Sequence, residues 1–274
     1  MTAPTPLRVT LDESDTASCA VQRAVLASVP RRFLVAERGP ADVVVVSGRN
    51  PDWLDRVVRV VEDGAQGVLV VHPGLVDPEL VRGLVPAVAG RAVVAVDTPY
   101  AADPTWTAAR TDIAADAASA AIVDSLASIG RGQDGDIGEA LVGQIAVVRP
   151  LVGPLDELRL VHRDDRAYLL GAQTRGPRVT LSGVISAAGR TALAVDVVTP
   201  QRRWQVRFDD SALAGPTEVT AYDETGAHTR PFIYESGRRV TWQRLHEALT
   251  GSGDVGYSLD RLADDLELAR RVLL

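Results

Sequence analysis

A histidine, His72, follows the apolar run Gly67–Val71 (GVLVV) and precedes Pro73. Imidazole titrates near neutral pH, so His72 could serve as a general base at a strand end, or could simply hydrogen-bond there. His162 begins the string His162-Arg163-Asp164-Asp165-Arg166, which reads as a solvated helix face with charge pairs three and four residues apart. His72, His162 and Asp164 form the candidate catalytic set, with His72 as base and Asp164 as polar partner. Nothing in their local spacing suits a metal, and the single cysteine, Cys19, excludes both a Cys-rich zinc site and an intramolecular disulfide. Cys19 falls in a helical stretch where a buried, inert thiol is expected.

Other chemistry is absent from the composition. All 29 basic residues are arginine, so the chain cannot form a lysine Schiff base and has no ammonium for proton transfer. There is no Gly-x-Ser-x-Gly elbow. A Gly-x-Gly-x-x-Gly string occurs at Gly130–Gly135, but it follows a helical segment instead of a strand, a context that makes it a chance match. Trp53, Trp106, Trp204 and Trp242 could each stack on a sugar ring. Trp53 lies on an apolar helical face and reads as core. Trp106 closes the segment Tyr100–Trp106 after a strand and is the strongest tryptophan candidate for a ligand contact.

The elements that must position these residues alternate in the first half. Leu7–Leu11, Asp42–Ser47, Gly67–Val71 and Arg91–Val96 are apolar runs, three of them rich in valine, as expected of strands buried on both faces. Thr16–Val29, Pro51–Asp63 and Asp77–Val88 have helical spacing, and Asp77 precedes Pro78 as N-cap precedes N1. This alternation predicts right-handed βαβ units and a parallel sheet. Thr111–Ile129 is Ala-rich and predicts one long helix. Strands are then predicted at Gln144–Arg149, Arg178–Ser186, Thr191–Thr199, Arg203–Phe208 and Glu218–Tyr222, with turns at Ala188-Gly189 and Glu224–Gly226. Helices at Arg239–Leu249 and Leu259–Leu273 close the chain.

That order resembles the glucose–fructose oxidoreductase / inositol dehydrogenase (Gfo/Idh/MocA) family. Asp42–Asn50 (DVVVVSGRN) is similar to its strand ending in an Asn-bearing loop. Gly67–Pro73 is similar to its strand ending in Glu-Lys-Pro, and Asp136–Val142 to its Leu-Gly-Glu-Ile turn. Glu157–Gly171 (ELRLVHRDDRAYLLG) is similar to its helix bearing Asp-x-Gly-x-His-x-x-Asp. The resemblance implies an α/β fold with a Rossmann-like parallel sheet over residues 1–112. An α+β part with an open, mainly antiparallel sheet follows over 113–274, its C-terminal helix packing back on the first domain. It also implies that Asn50, Tyr100 and Trp106 face a sugar-like ligand.

The departures weigh against ordinary dehydrogenase chemistry. Where the family needs a glycine fingerprint after its first strand, this chain has Leu11-Asp12-Glu13-Ser14-Asp15-Thr16, with three acids and no glycine. The ribose-holding region is shortened, with Glu37 its one candidate acid. His72 replaces the family's lysine, and Val161 stands at its histidine position with His162 one residue later. The expectation is therefore no cofactor, and a pseudoenzyme acting as a structural or regulatory subunit. It would assemble with itself or an active relative through the C-terminal sheet. The alternative is an active isomerase, lyase, cyclase or NAD(P)-dependent oxidoreductase acting on a sugar-like or natural-product substrate through His72 and Asp164. The net charge of −7 without a basic cluster argues against nucleic acid. No apolar run approaches the ~20 residues that span a bilayer. The N-terminus lacks a signal-peptide pattern, so a cytoplasmic location is expected.

Overall fold

The structure is a computed structural model that describes residues 5–36, 39–130, 136–155, 157–174, 176–187, 190–209, 215–251 and 253–274. Glu37, the Gly-rich string beyond Gly130 and the Ala188-Gly189 turn lie outside the described residues. In chain order the elements begin β1 (Leu7–Thr10), α1 (Thr16–Ala27), β2 (Phe33–Val35), β3 (Val43–Ser47), α2 (Trp53–Glu62), β4 (Gly67–Val71), α3 (Pro78–Val88) and β5 (Val93–Val96). They continue as α4 (Pro104–Ala117), β6 (Ile122–Gly130), α5 (Ile137–Val152), β7 (Arg159–Arg163), β8 (Ala167–Gln173), β9 (Arg178–Ser186) and β10 (Ala192–Val198). The last are β11 (Arg203–Phe208), β12 (Glu218–Asp223), β13 (Gly226–Thr229), α6 (Gly237–Leu249) and α7 (Leu259–Leu273). Among the described residues no helix is long and apolar enough to cross a membrane.

Two compact units result. The first comprises Met1–Thr98 and Arg238–Asp264, the second Pro99–Gly237 and Asp265–Leu274. From Arg238 onward α6 belongs to the first unit.

The first unit is a five-stranded parallel sheet in the order β2-β1-β3-β4-β5. All five residues of β4 are buried, so its valines give up water on both faces. Burial on that scale contributes roughly 1.5–3 kcal/mol per large apolar side chain. One face packs Val9, Val45, Leu69 and Ala95 with Leu26 of α1 and Trp242 and Leu245 of α6. As the sequence requires, Asp77 caps α3, its carboxylate accepting the Glu79 amide at 3.0 Å. Cys19 is half-buried in α1, less enclosed than its residue type suggests.

The second unit is an eight-stranded sheet in the order β13-β12-β11-β10-β6-β9-β8-β7. All its pairings are antiparallel except β6 with β9. Three predicted elements change here. The helix expected over Thr111–Ile129 ends at Ala117, and β6 follows. In β6 the buried Val123, Ser125, Ala127 and Ile129 alternate with exposed Ile122, Asp124 and Leu126. A polar residue at one inward position and alanine at another hide that period of two. The strand expected at Gln144–Arg149 lies within α5, where Leu141, Val142, Gln144, Ile145, Val147 and Val148 are all buried. A helix enclosed on nearly every side has no polar stripe to betray its period. The helix expected over Glu157–Gly171 is the hairpin β7–β8, turning at Asp164–Arg166.

Candidate functional site

In an open parallel sheet, ligands bind beyond the strand C-termini where the connections reverse direction. In the first unit that switch point lies between β1 and β3. The residues just past those two strands form one hydrogen-bonded cluster. At its centre is Asp12, only 3% exposed. Its Oδ2 accepts the Ser47 backbone N–H at 2.9 Å and the Asn50 amide at 3.3 Å. Its Oδ1 accepts the Ser14 hydroxyl at 2.5 Å and the Ser14 backbone N–H at 3.2 Å. The Arg56 guanidinium, one turn into α2, donates to both oxygens, at 3.0 and 2.9 Å.

Burial alone would favour the neutral acid. The Ser14 hydroxyl, the Ser47 amide, the Arg56 charge and the Ser14 amide together outweigh it, and the Asp12 carboxyl is held below its ordinary value. Asp15 completes the cluster. It caps α1 by accepting the Ser18 N–H at 3.0 Å, accepts the Ser47 hydroxyl at 2.9 Å and pairs with Arg49 at 3.5 Å. The cluster is thus a self-neutralised set of two aspartates and two arginines. The acids are legible in the sequence, but their arginine partners are not. Arg56 is one of 29 arginines and lies 44 residues from Asp12, so nothing local marks it.

Beyond β4, His72 has φ 50°, a left-handed conformation that is costly for a non-glycine residue and more so before a proline. The neighbouring chain presses on it. A Cβ at Gly48 would lie 2.6 Å from Pro73 Cα and 2.8 Å from the His72 carbonyl oxygen, so only glycine fits. His72 itself is half-buried.

The other expected site residues lie elsewhere. Asn50 joins the Asp12 cluster, donating also to the Ser14 hydroxyl at 3.0 Å. Tyr100 and Trp106 belong to the second unit, their rings 5.4 and 5.9 Å from that of Phe208. Trp106 is fully buried on α4 instead of lying on a loop. His162 and Asp164 also belong to the second unit, on the exposed hairpin instead of a helix, their side chains 3.4 Å apart. Asp164 accepts the Arg166 and Ala167 amides at 2.8 and 2.9 Å. Those bonds, with His162, hold its carboxyl below the ordinary value and explain it as a turn former. His72 shares a unit with neither, so the expected catalytic set is not assembled within one unit. The helix that follows Asp136 is α5, and it contains no histidine. Among the described residues no group of His, Cys, Asp or Glu could hold a metal ion.

Neither a family model nor a curated protein matches the sequence. Solved structures match the fold. UDP-N-acetylglucosamine 3-dehydrogenase GnnA from Acidithiobacillus ferrooxidans superposes with a TM-score of 0.73 at 13% identity, covering 97% of this chain and 96% of that one. The fold is that of the Gfo/Idh/MocA oxidoreductases. A 3-ketoreductase from Actinomadura kijaniata, solved in complex with NADP and TDP-benzene, shares this Gfo/Idh/MocA fold with a TM-score of 0.70 at 15% identity, each chain covered to 97%.

Proposed function

We propose that this chain uses an oxidoreductase fold as a scaffold and does not carry a nicotinamide cofactor. The observation that supports this reading is the Asp12 cluster. The donors beyond β1 and β3 that could meet a diphosphate are taken up by a carboxylate of the chain itself. A diphosphate there would have to displace the Asp12 and Asp15 carboxylates from the amides, hydroxyls and arginines that hold them. These residues do not fit the dinucleotide. The absence of any lysine agrees with the loss of a hydroxyl-proton relay.

As a scaffold, the protein would act as a structural or regulatory subunit, through the open face of its eight-stranded sheet. Ile122, Leu126, Val184 and Val198 are exposed on that face, across the adjacent strands β6, β9 and β10. The partner is a second copy or an active relative. If this face mediates self-association, Leu126→Asp will lower the mass measured by light scattering; an unchanged mass in an oligomeric protein removes the face from the reading.

The cofactor question is tested by thermal-shift titration with NAD, NADH, NADP and NADPH. No shift is expected. A saturating rise would overturn the reading, since ligand at 100 times its dissociation constant adds about 2.7 kcal/mol of stability.

A further inference from the structure

The chain leaves the first unit after Thr98 and re-enters it at Arg238. Beside these two junctions, within the first unit, Asp97 and Arg238 form an ion pair between Oδ2 and a terminal guanidinium nitrogen, with side chains 2% and 7% exposed. The Gln22 amide donates to the same Asp97 oxygen at 3.2 Å, and its carbonyl accepts the Trp242 indole N–H at 2.7 Å. Gln22 and Trp242 are wholly buried. A continuous series of polar contacts therefore runs from Trp242 on α6, through Gln22 on α1 and Asp97 beyond β5, back to Arg238 at the start of α6. The second Asp97 oxygen has no partner among the described residues.

Within the second unit, the residues on the far side of the same junctions also touch. A Cβ at Gly237 would overlap the Pro99 carbonyl oxygen and lie 3.1 Å from the Asp103 amide, so the two backbones meet at a glycine. The outgoing segment (Asp97, Pro99) and the returning one (Gly237, Arg238) are thus tied together on both sides of the junction.

Burying two charges is expensive, and their attraction does little more than offset it. Packing alone would hold α6 through Trp242 and Leu245. The pair adds direction: it fixes which backbone lies against which. We propose that Asp97–Arg238 is a clasp that keeps the outgoing and returning segments in register, so that the two junctions move as one. This goes beyond the scaffold reading and does not depend on it.

Hydrogen exchange by mass spectrometry on the full chain tests it. In Arg238→Gln, amides over residues 98–103 and 237–242 should exchange about tenfold faster, while those of β1, β3 and β4 keep their wild-type rates. Because a lone buried Asp97 could unfold the single variant, Asp97→Asn/Arg238→Gln removes both charges. It should fold, yet exchange fast at both junctions. Unchanged junction exchange in the double variant would overturn the clasp. So would equal acceleration across the whole first-unit sheet, or failure of the double variant to fold, since either makes the pair ordinary core.

Discussion

Asp12 in the first unit and Asp103 in the second are both buried aspartates in strand-to-helix turns, 3% and 6% exposed. Their donors differ. Asp103 caps α4, accepting the Trp106 amide at 2.9 Å and the Thr217 hydroxyl at 2.8 Å, all neutral donors. Burial prevails there, only partly opposed by the Trp106, Thr217 and Thr105 bonds, and the carboxyl is pushed up. Asp12 has a fuller donor set, led by the Ser14 hydroxyl and the Ser47 amide and joined by one Arg56 guanidinium nitrogen that reaches both oxygens, and its carboxyl is pulled down. The stronger hydrogen bonds and the added cation together separate a neutralised anion position from a helix cap. The β1–α1 turn therefore behaves as an anion site with the anion built in, which the second unit's turn does not.

The largest effect should come from removing each carboxylate. Asp12→Ala leaves Arg56 and the Ser47 amide without their acceptor. Breaking a fully buried pair costs about 3–5 kcal/mol, but the Arg56 side chain is 31% exposed and water replaces part of the loss, so about 2 kcal/mol is expected. Asp103→Ala removes a cap and should cost about 1 kcal/mol. Urea unfolding of the two variants ranks them. Equal losses, or a larger one at Asp103, would break the distinction between the turns.

The same division between units governs what the sequence discloses. In the first unit, valine-rich strands stand between turn residues, and Asp77-Pro78 marks a helix start, so β3, β4 and α3 were readable as they stand. In the second, β6 hides its alternation behind Ser125 and Ala127, because Ser125 is satisfied by the Gln144 amide at 3.1 Å, a partner on another element. Gln144 in turn accepts the Tyr168 hydroxyl at 2.5 Å. Helix α5 looks like a strand because its polar residue faces inward too. The hairpin at Glu157–Gly171 looks like a helix because charges three and four apart occur on both. Of the candidate site, the acids after β1 were legible as hostile to phosphate. Their neutralisation by Arg56 and Arg49 was not, since it is a tertiary fact. Nor was the left-handed backbone of His72, which depends on Gly48 and Pro73 meeting.

A smaller effect, and a sharper one, lies in the sign of the pH dependence. Asp12 has a folded-state value below the ordinary 3.8, so the stability it contributes is present above that value and is lost as pH falls through it. Asp103 has a folded-state value above 3.8, so its folded form keeps the proton longer. Stability then falls as pH rises from 3.8 into the raised value and stays at the lower level above it. The stability difference between wild type and Asp12→Asn should therefore shrink as pH is lowered from 7 towards about 3.5, while that between wild type and Asp103→Asn should move in favour of wild type. Urea unfolding of the three proteins across that range gives both differences. If they change in the same direction, the donors around the two carboxyls do not set the turns apart. Opposite slopes from one residue type would tie the difference to the donors that surround each carboxyl.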